Sequence, residues 1–150
     1  MQRRLVASLL VCSALFAGSA HGQTVVTLPP MSAITFAPGA TTATMAGQIA
    51  PGGRNVYYVL AKAGQNLSVS VGSTAASITF QVYPPDATLE KGADGTAAVS
   101  GRALPDAGPS DNAKAWIGAM PRDGNYLILV TMSAGGGSAP TPYNLAVSLQ

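Results

Sequence analysis

The sequence has almost no cysteine and almost no histidine. It contains one of each, Cys12 and His21, among 150 residues, and both lie in or beside an N-terminal segment with the features of a secretory signal peptide. Once that segment is removed, no thiol remains to form a disulfide. A zinc site of Cys and His ligands is excluded as well, and so is a Ser–His or Cys–His nucleophile pair.

Charged residues are also scarce, at 9% of the chain. Two of the eight basic residues are Arg3 and Arg4, and the remaining six equal the six acidic residues in number, so the formal net charge of +2 belongs to the N-terminal segment. No basic patch suited to nucleic acid or to an anionic membrane is present. No apolar run approaches the about 20 residues that a transmembrane helix needs.

Residues 1–22 are expected to be a signal peptide. Met1–Arg4 is basic, Leu5–Ala17 is apolar, and small residues follow up to two candidate cleavage sites, after Ala20 or after Gly22. We favour the second site. Cys12 is a candidate for lipid attachment, which we disfavour because the residue before it is not small. The mature protein is expected in the periplasm or outside the cell.

Short alternating segments, separated by Gly and Pro turns, fill the rest of the chain. Strands are predicted at Thr42–Ile49, Val56–Leu60, Leu67–Val71, Ile78–Tyr83, Ala97–Ser100, Ala113–Ala119, Tyr126–Thr131 and Tyr143–Leu149, and Ser32–Phe36 is a candidate short strand. The period of two and the lack of an amphipathic helix predict an all-β fold, a single antiparallel, jelly-roll-like β-sandwich of about seven or eight strands. Residues 42–150 are assigned to this domain and residues 23–41 to an N-terminal arm or edge strand.

A long run at residues 86–112 lacks clear alternation and is rich in Gly, Pro, Asp and Ala. It holds five acids: Asp86, Glu90, Asp94, Asp106 and Asp111. Paired carboxylates could hydrolyse a glycosidic bond or bind Ca²⁺. Their spacing matches no calcium loop, and a long loop offers no rigid scaffold for a preorganised site. We interpret them as solvated loop acids and expect no catalytic residue, metal or cofactor.

Four segments together carry a resemblance to a known family. They are Met45–Ile49, Tyr58–Val71, Met120–Tyr126 and Tyr143–Val147. In this order they resemble the bacterial pre-peptidase C-terminal (PPC-like) β-sandwich, and within that group the periplasmic inhibitors of g-type lysozyme. The resemblance covers about Thr42 to Leu149. It implies a small sandwich without catalytic residues and, for the inhibitors, a loop-borne surface that plugs the cleft of a lysozyme.

The resemblance also implies arginines in and just after the strand that begins at Tyr126. In this chain no basic residue occurs from Leu127 to Pro142. Because the cleft of a lysozyme is acidic at its catalytic carboxylate, an inserted plug is expected to bring cations or hydrogen-bond donors. The candidates are Arg122, Lys114 and Arg102.

Three further residues complete the candidate partner-binding set: Asp123, Asn125 and Trp116. Asp123 lies at the tip of the turn Pro121–Gly124, and turn tips on a rigid sandwich are common binding surfaces, although turn chemistry alone also explains its composition. Trp116 is either the main aromatic of the core, which burial statistics favour, or an interface or carbohydrate-stacking anchor.

The sequence is thus interpreted as a secreted or periplasmic, non-catalytic binding protein with a protein partner, which the resemblance implies to be a lysozyme. One alternative is a PPC-like accessory module that binds envelope proteins or polysaccharide. Another, disfavoured because it lacks a rigid carboxylate site, is a glycan-acting enzyme that uses the loop acids.

Overall fold

The computed structural model describes residues 30–150, so the expected signal peptide lies outside the described residues. Ten strands form within this range: β1 Met31–Ala33, β2 Thr42–Ile49, β3 Arg54–Ala61, β4 Asn66–Ser73, β5 Ile78–Tyr83, β6 Thr88–Lys91, β7 Ala97–Ser100, β8 Ala115–Ala119, β9 Gly124–Met132 and β10 Thr141–Leu149. In this part of the chain, no helix has the length and hydropathy needed to cross a bilayer.

The strands form two four-stranded sheets and one two-stranded hairpin. The first sheet has the order β1-β3-β9-β5, the second has the order β2-β10-β4-β8, and β6 pairs with β7. Every pair is antiparallel except β1 with β3. The predicted all-β sandwich is confirmed. The strand number exceeds the seven or eight predicted. β6, with four residues, is too short for its alternation to be distinctive, and β1 overlaps the candidate short strand at Ser32–Phe36.

The main core lies between the two sheets. It is built from the inward-facing residues of each strand, as in β3, where Tyr57, Val59 and Ala61 are buried. Phe80 and Tyr126, both fully buried, are the largest side chains at its centre. Complete burial of an apolar side chain of this kind contributes about 1.5–3 kcal/mol relative to exposure, so this core dominates the stability of the fold.

A second, smaller core lies on the outer face of the first sheet, beneath the β6–β7 hairpin. Val56, Leu127 and Leu129 of that face are buried together with Tyr83 and Ala97. Because β9 is covered on both faces, its sequence is a near-continuous apolar run rather than an alternating one. The adjacent tyrosines of β3 point to opposite faces, as predicted, with one in each core.

The run predicted as a loop is anchored firmly after β7. The amide of Leu104 donates to the Val82 carbonyl (2.8 Å), the Val82 amide donates to the Ala107 carbonyl (2.9 Å), and the Phe80 amide donates to the Ala113 carbonyl (3.0 Å). These bonds cover the edge of β5, and the residues that make them are buried in the main core. The expectation of a run without a rigid scaffold is therefore wrong for this segment.

Gly47 interrupts the alternation of β2 because the ring of Tyr143 lies across it. The two residues are directly opposite on β2 and β10, and a Cβ at position 47 would lie 2.6 Å from the Tyr143 Cζ. The Tyr143 and Tyr57 hydroxyls share a hydrogen bond (2.6 Å), and Asn55 Nδ2 donates to Tyr143 Oη (2.7 Å). Burial, with a smaller contribution from Tyr57, raises the pKa of Tyr143, so its hydroxyl is neutral at physiological pH.

Replacing Tyr143 by phenylalanine should lower the free energy of unfolding by about 1–3 kcal/mol, because the buried Tyr57 hydroxyl loses its partner. Urea denaturation of both proteins measures the difference. Tyr58→Phe is the matched control, since Tyr58 is only half-buried and packs on the other core. A smaller loss for Tyr143→Phe than for Tyr58→Phe would contradict the structural importance of this network.

Candidate functional site

Turns gather at the two opposite ends of the sandwich and form two candidate surfaces. We define the turn end by the β3–β4, β5–β6 and β8–β9 turns, residues 62–65, 84–87 and 120–123. We define the cleft end, named for the cleft beside it that is described below, by the β2–β3, β4–β5 and β9–β10 turns, residues 50–53, 74–77 and 133–140.

The turn end holds three of the predicted residues. Asp123 Oδ1 accepts a hydrogen bond from the Ala63 amide (2.7 Å), which ties the β8–β9 turn to the β3–β4 turn. Arg122 Nη1 lies 3.5 Å from Asp86 Oδ2, with both side chains more than half exposed, and such a pair contributes only about 0–1 kcal/mol. The Arg122 backbone is fixed by Tyr126 Oη, which accepts from its amide (3.2 Å) and donates to its carbonyl (2.7 Å).

Leu60 belongs to the turn end and was missed by the sequence reasoning. It lies opposite Asn125, the third predicted residue at this end, in the β3–β9 register, and its side chain is 68% exposed. The available signal was strand alternation: since Val59 points into the core, Leu60 must point out. The turn end therefore presents an exposed leucine side chain, Leu60, among charged side chains of both signs.

Trp116 does not belong to either end. It lies on the inner face of the edge strand β8, opposite the buried Val69, and it is half-buried against the main core. Its Nε1 donates to the Pro105 carbonyl (2.9 Å), and its ring covers Gly118. The contacts favour the core interpretation of Trp116.

The two remaining predicted residues, Arg102 and Lys114, lie near opposite ends of the segment between β7 and β8. Arg102 is exposed between β7 and the anchored Leu104, and the preceding Gly101 lies close to Ala87 of the β5–β6 turn. Lys114 precedes β8 and borders the cleft end. The six predicted residues are therefore distributed over separate parts of the surface rather than gathered in one site.

A cleft of about 700 Å³ lies on the outer face of the first sheet, beside the turns of the cleft end. The β6–β7 hairpin forms one wall, and residues 109–114 contribute to the other. Part of its floor is a row across three neighbouring strands, with Arg54 of β3 opposite Thr131 of β9, and Thr131 opposite Thr79 of β5. The two threonine hydroxyls are 3.2 Å apart and hydrogen-bond to each other, so this floor is polar.

The cleft carries an excess of positive charge. Its charged lining residues are Arg54, Lys114 and Asp94. Arg54 Nη1 donates to the Ala97 carbonyl (2.8 Å), which holds the guanidinium beneath the hairpin. Asp94 Oδ1 accepts from Oγ1 (2.7 Å) and from the amide (3.0 Å) of Thr96, and these bonds, in that order, lower the pKa of its carboxyl. Two cations and one anion therefore face the cleft at neutral pH.

Three of the five acids of the 86–112 run are engaged separately. Asp86 pairs with Arg122 at the turn end, Asp94 caps its own turn, and Asp111 Oδ2 accepts from the Gly108 amide (2.6 Å). Within residues 30–150, no three His, Cys, Asp or Glu side chains lie close enough together to hold a metal ion. The geometry of these carboxylates is that of turn and surface contacts.

Comparison with known proteins gives matches among solved structures. No family model and no curated protein matches the chain. The periplasmic inhibitor of g-type lysozyme PliG from Aeromonas hydrophila is 30% identical, with a TM-score of 0.63 over 80% of this chain and 96% of the inhibitor. PliG from Salmonella Typhimurium is 15% identical, with a TM-score of 0.56 over 81% of this chain and 99% of its own.

A more remote likeness is to the pre-peptidase C-terminal domain of a Bacillus anthracis collagenase, at 16% identity and a TM-score of 0.45 over 79% of this chain and 95% of that domain. The resemblance found in the sequence is confirmed by the Aeromonas match, in which identity and near-complete coverage coincide. The chain belongs to the family of periplasmic inhibitors of g-type lysozyme.

Proposed function

We propose that this protein is a non-catalytic, periplasmic inhibitor of a g-type lysozyme, and that it binds the enzyme through the cleft end. The observation that carries the proposal is the 30% identity with the Aeromonas hydrophila inhibitor across 96% of that chain. The separate engagement of Asp86, Asp94 and Asp111 in surface and turn contacts agrees with a binding role.

Charge favours the cleft end over the turn end as the docking surface. At the turn end, Lys62 and Arg122 are opposed by Asp86 and Asp123, so the local charge is balanced. The cleft, by contrast, is lined by two cationic side chains, Arg54 and Lys114, and by one carboxylate, Asp94. Because the catalytic centre of a lysozyme holds carboxyl groups, complementary potentials favour the positively charged surface.

Position along β9 supports the same choice. The family resemblance implies arginines in and just after this strand, where the present chain is neutral. Arg54 lies directly opposite Thr131 near the end of β9. Ser133 and Ala134, which follow β9, line the cleft together with Arg54 and Lys114. Arg54 and Lys114, from two other parts of the chain, thus place positive charge beside the end of β9, where the resemblance implies arginines.

The turn end, with Arg122, Asp123 and Asn125, is the alternative docking surface within the same proposal. Its protruding Leu60 could fill an apolar pocket of the enzyme. Trp116 and Arg102 have no direct role in either arrangement, since one packs on the core and the other lies apart from the cleft lining.

A lysis assay tests the proposal. The purified mature protein, titrated against g-, c- and i-type lysozymes on suspended peptidoglycan, should suppress lysis by the g-type enzyme near equimolar ratio and should itself release no soluble fragments. The absence of inhibition at micromolar excess of the protein would refute the proposal. A pull-down with peptidoglycan in the same experiment separates it from the alternative of a polysaccharide-binding accessory module, which would bind the polymer without affecting the enzyme.

A further inference from the structure

The guanidinium of Arg54 lies in the cleft without a carboxylate partner. Its Nη1 donates to the Ala97 carbonyl (2.8 Å), which is a neutral acceptor. Within residues 30–150, the one ion pair closer than 4.0 Å joins Arg122 to Asp86 at the turn end. A guanidinium has five N–H donors, and the bond to the backbone uses one of them. Arg54 is therefore a positioned cation with donors left for an anion.

The floor beside Arg54 offers further hydrogen-bond donors. The hydroxyls of Thr79 and Thr131 share one hydrogen bond (3.2 Å), which uses only one of their two hydrogens. Gln81 Oε1 already accepts a hydrogen bond from the Tyr83 hydroxyl (2.6 Å), so the NH2 group is the part of this amide left for a ligand. All of these side chains line the cleft. The floor therefore presents mainly donors.

The size and the walls of the cleft suit one or two sugar rings. Its volume of about 700 Å³ lies within the range of about 300–1,000 Å³ that is usual for small-molecule sites. Ala98 and Val99 of β7, both half-buried, line it together with the polar floor. A sugar carries oxygens that accept from the donors of the floor and C–H groups that pack on an apolar wall, so it would use both kinds of lining.

The charge of the lining matches a ligand with a single negative charge. Arg54 and Lys114 oppose Asp94, the one acid among the described residues that line the cleft. Asp94 Oδ1 accepts two hydrogen bonds from Thr96, which hold this carboxylate at its own turn. The excess of one positive charge favours a monoanion over a dianion such as phosphate, since complementary charges are favoured across an interface.

We propose that the cleft binds a small saccharide that carries one carboxylate. The carboxylate lies on the guanidinium of Arg54, because the two planar groups can form a pair of parallel N–H···O bonds. The ring lies on the floor, where its oxygens accept from the hydroxyls of Thr79 and Thr131 and from the amide of Gln81. Lys114 adds positive charge at the border of the site.

The site gives the cleft a second occupant besides an enzyme. Under the proposed function, Arg54 and Lys114 also contact a lysozyme, so a bound acidic sugar and a bound enzyme would exclude each other. This consequence rests on the proposed function, whereas the binding of the sugar does not. An acidic sugar released from the cell wall would then weaken the inhibition.

NMR titration of the ¹⁵N-labelled mature protein, without enzyme and at low ionic strength, tests the site. The matched probes are N-acetylmuramic acid and N-acetylglucosamine, which share the acetamido sugar and differ in a lactyl carboxylate. We expect the amides of Thr79, Gln81 and Thr131 to shift and saturate with the first sugar, and the second sugar to bind about tenfold more weakly or worse. Lactate, which has the carboxylate without the ring, should also bind about tenfold more weakly or worse.

Two variants remove the charges of the site separately. In Arg54→Gln and Lys114→Gln the side chain is exposed and keeps a donor group, and the dispersion of each spectrum verifies the fold. We expect the acidic sugar to bind about tenfold more weakly to Arg54→Gln, with a smaller loss for Lys114→Gln. Arg122→Gln at the turn end is the matched control and should bind within about twofold of the wild type.

The absence of shifts up to about 50 mM sugar, equal binding of the two sugars, or binding that survives Arg54→Gln would overturn the proposal. Lactate or inorganic phosphate bound as tightly as the acidic sugar would show an anion site that does not recognise a sugar, and would equally overturn it. The exclusion of the enzyme has its own readout, since saturating N-acetylmuramic acid should raise the inhibition constant in the lysis assay. An unchanged constant would overturn the exclusion.

Discussion

Replacing Arg54 and Lys114 together by alanine is expected to weaken inhibition of a g-type lysozyme by roughly a thousandfold. Truncating one member of a desolvated interfacial charge pair costs about 2 kcal/mol or more, and each 1.4 kcal/mol corresponds to a factor of ten in affinity. Arg54 is already held in place by the Ala97 carbonyl, so little ordering cost offsets its contribution. Inhibition constants from lysis rates measure the change.

The matched control is the double variant Arg122→Ala, Lys62→Ala at the turn end. Both side chains are exposed there, and we expect this variant to inhibit within about threefold of the wild type, as rim charges contribute little to affinity. Similar losses in the two double variants would contradict docking through the cleft. A loss confined to the turn-end variant would assign the docking surface to Arg122 and its neighbours instead.

Strand positions were predictable wherever one face of a strand is exposed to solvent and the other is buried. The pattern at Thr42–Ile49 gave the bounds of β2, and the alternation around Tyr57 and Tyr58 gave their opposite orientations. Strand β6 was not predicted because it lies in a Gly- and Pro-rich run and its four residues do not establish a period, whereas β1 overlaps the candidate short strand at Ser32–Phe36. Antiparallel pairing was predicted for the whole fold, and only the short contact of β1 with β3 departs from it.

The cleft was not predictable because its cations are distant in sequence. Arg54 opens a strand that serves as scaffold, and Lys114 precedes an edge strand sixty residues later. They come to one surface through the β3–β9–β5 register and through the anchoring of the segment before β8. A single sequence carries no local signal of either event. Arg122, by contrast, was prominent in the sequence because turn chemistry at Pro121–Gly124 is local.

The segment after β7 was interpreted as a loop without a rigid scaffold because small residues occur both in flexible loops and in tightly packed segments. Gly, Ala and Pro are frequent in flexible loops, but they are also needed where a backbone approaches a strand closely. Ala107 is buried beside β5 for that second reason, since its carbonyl accepts a hydrogen bond from the Val82 amide. Composition does not separate the two cases, so the strongest test of the structure lies in this segment.

Replacing Ala107 by aspartate is expected to remove several kcal/mol of stability and to leave the protein largely unfolded. Ala107 is completely buried in the main core, and its carbonyl binds the Val82 amide (2.9 Å). An unpaired carboxylate buried there costs several kcal/mol, comparable to the about 5–15 kcal/mol that holds a domain folded. Ala107→Ser should lose about 1–3 kcal/mol and gives a measurable intermediate.

Ala93→Asp is the matched control, because Ala93 is exposed at the tip of the β6–β7 hairpin, and a surface substitution of this kind usually changes stability by no more than about 0.5 kcal/mol. Urea denaturation, followed by the fluorescence of the single tryptophan, Trp116, reports all three variants. If the region were a solvated loop, as its composition indicates, the two aspartate variants would behave alike. A stable, wild-type-like Ala107→Asp protein would therefore show that this segment is not anchored on β5.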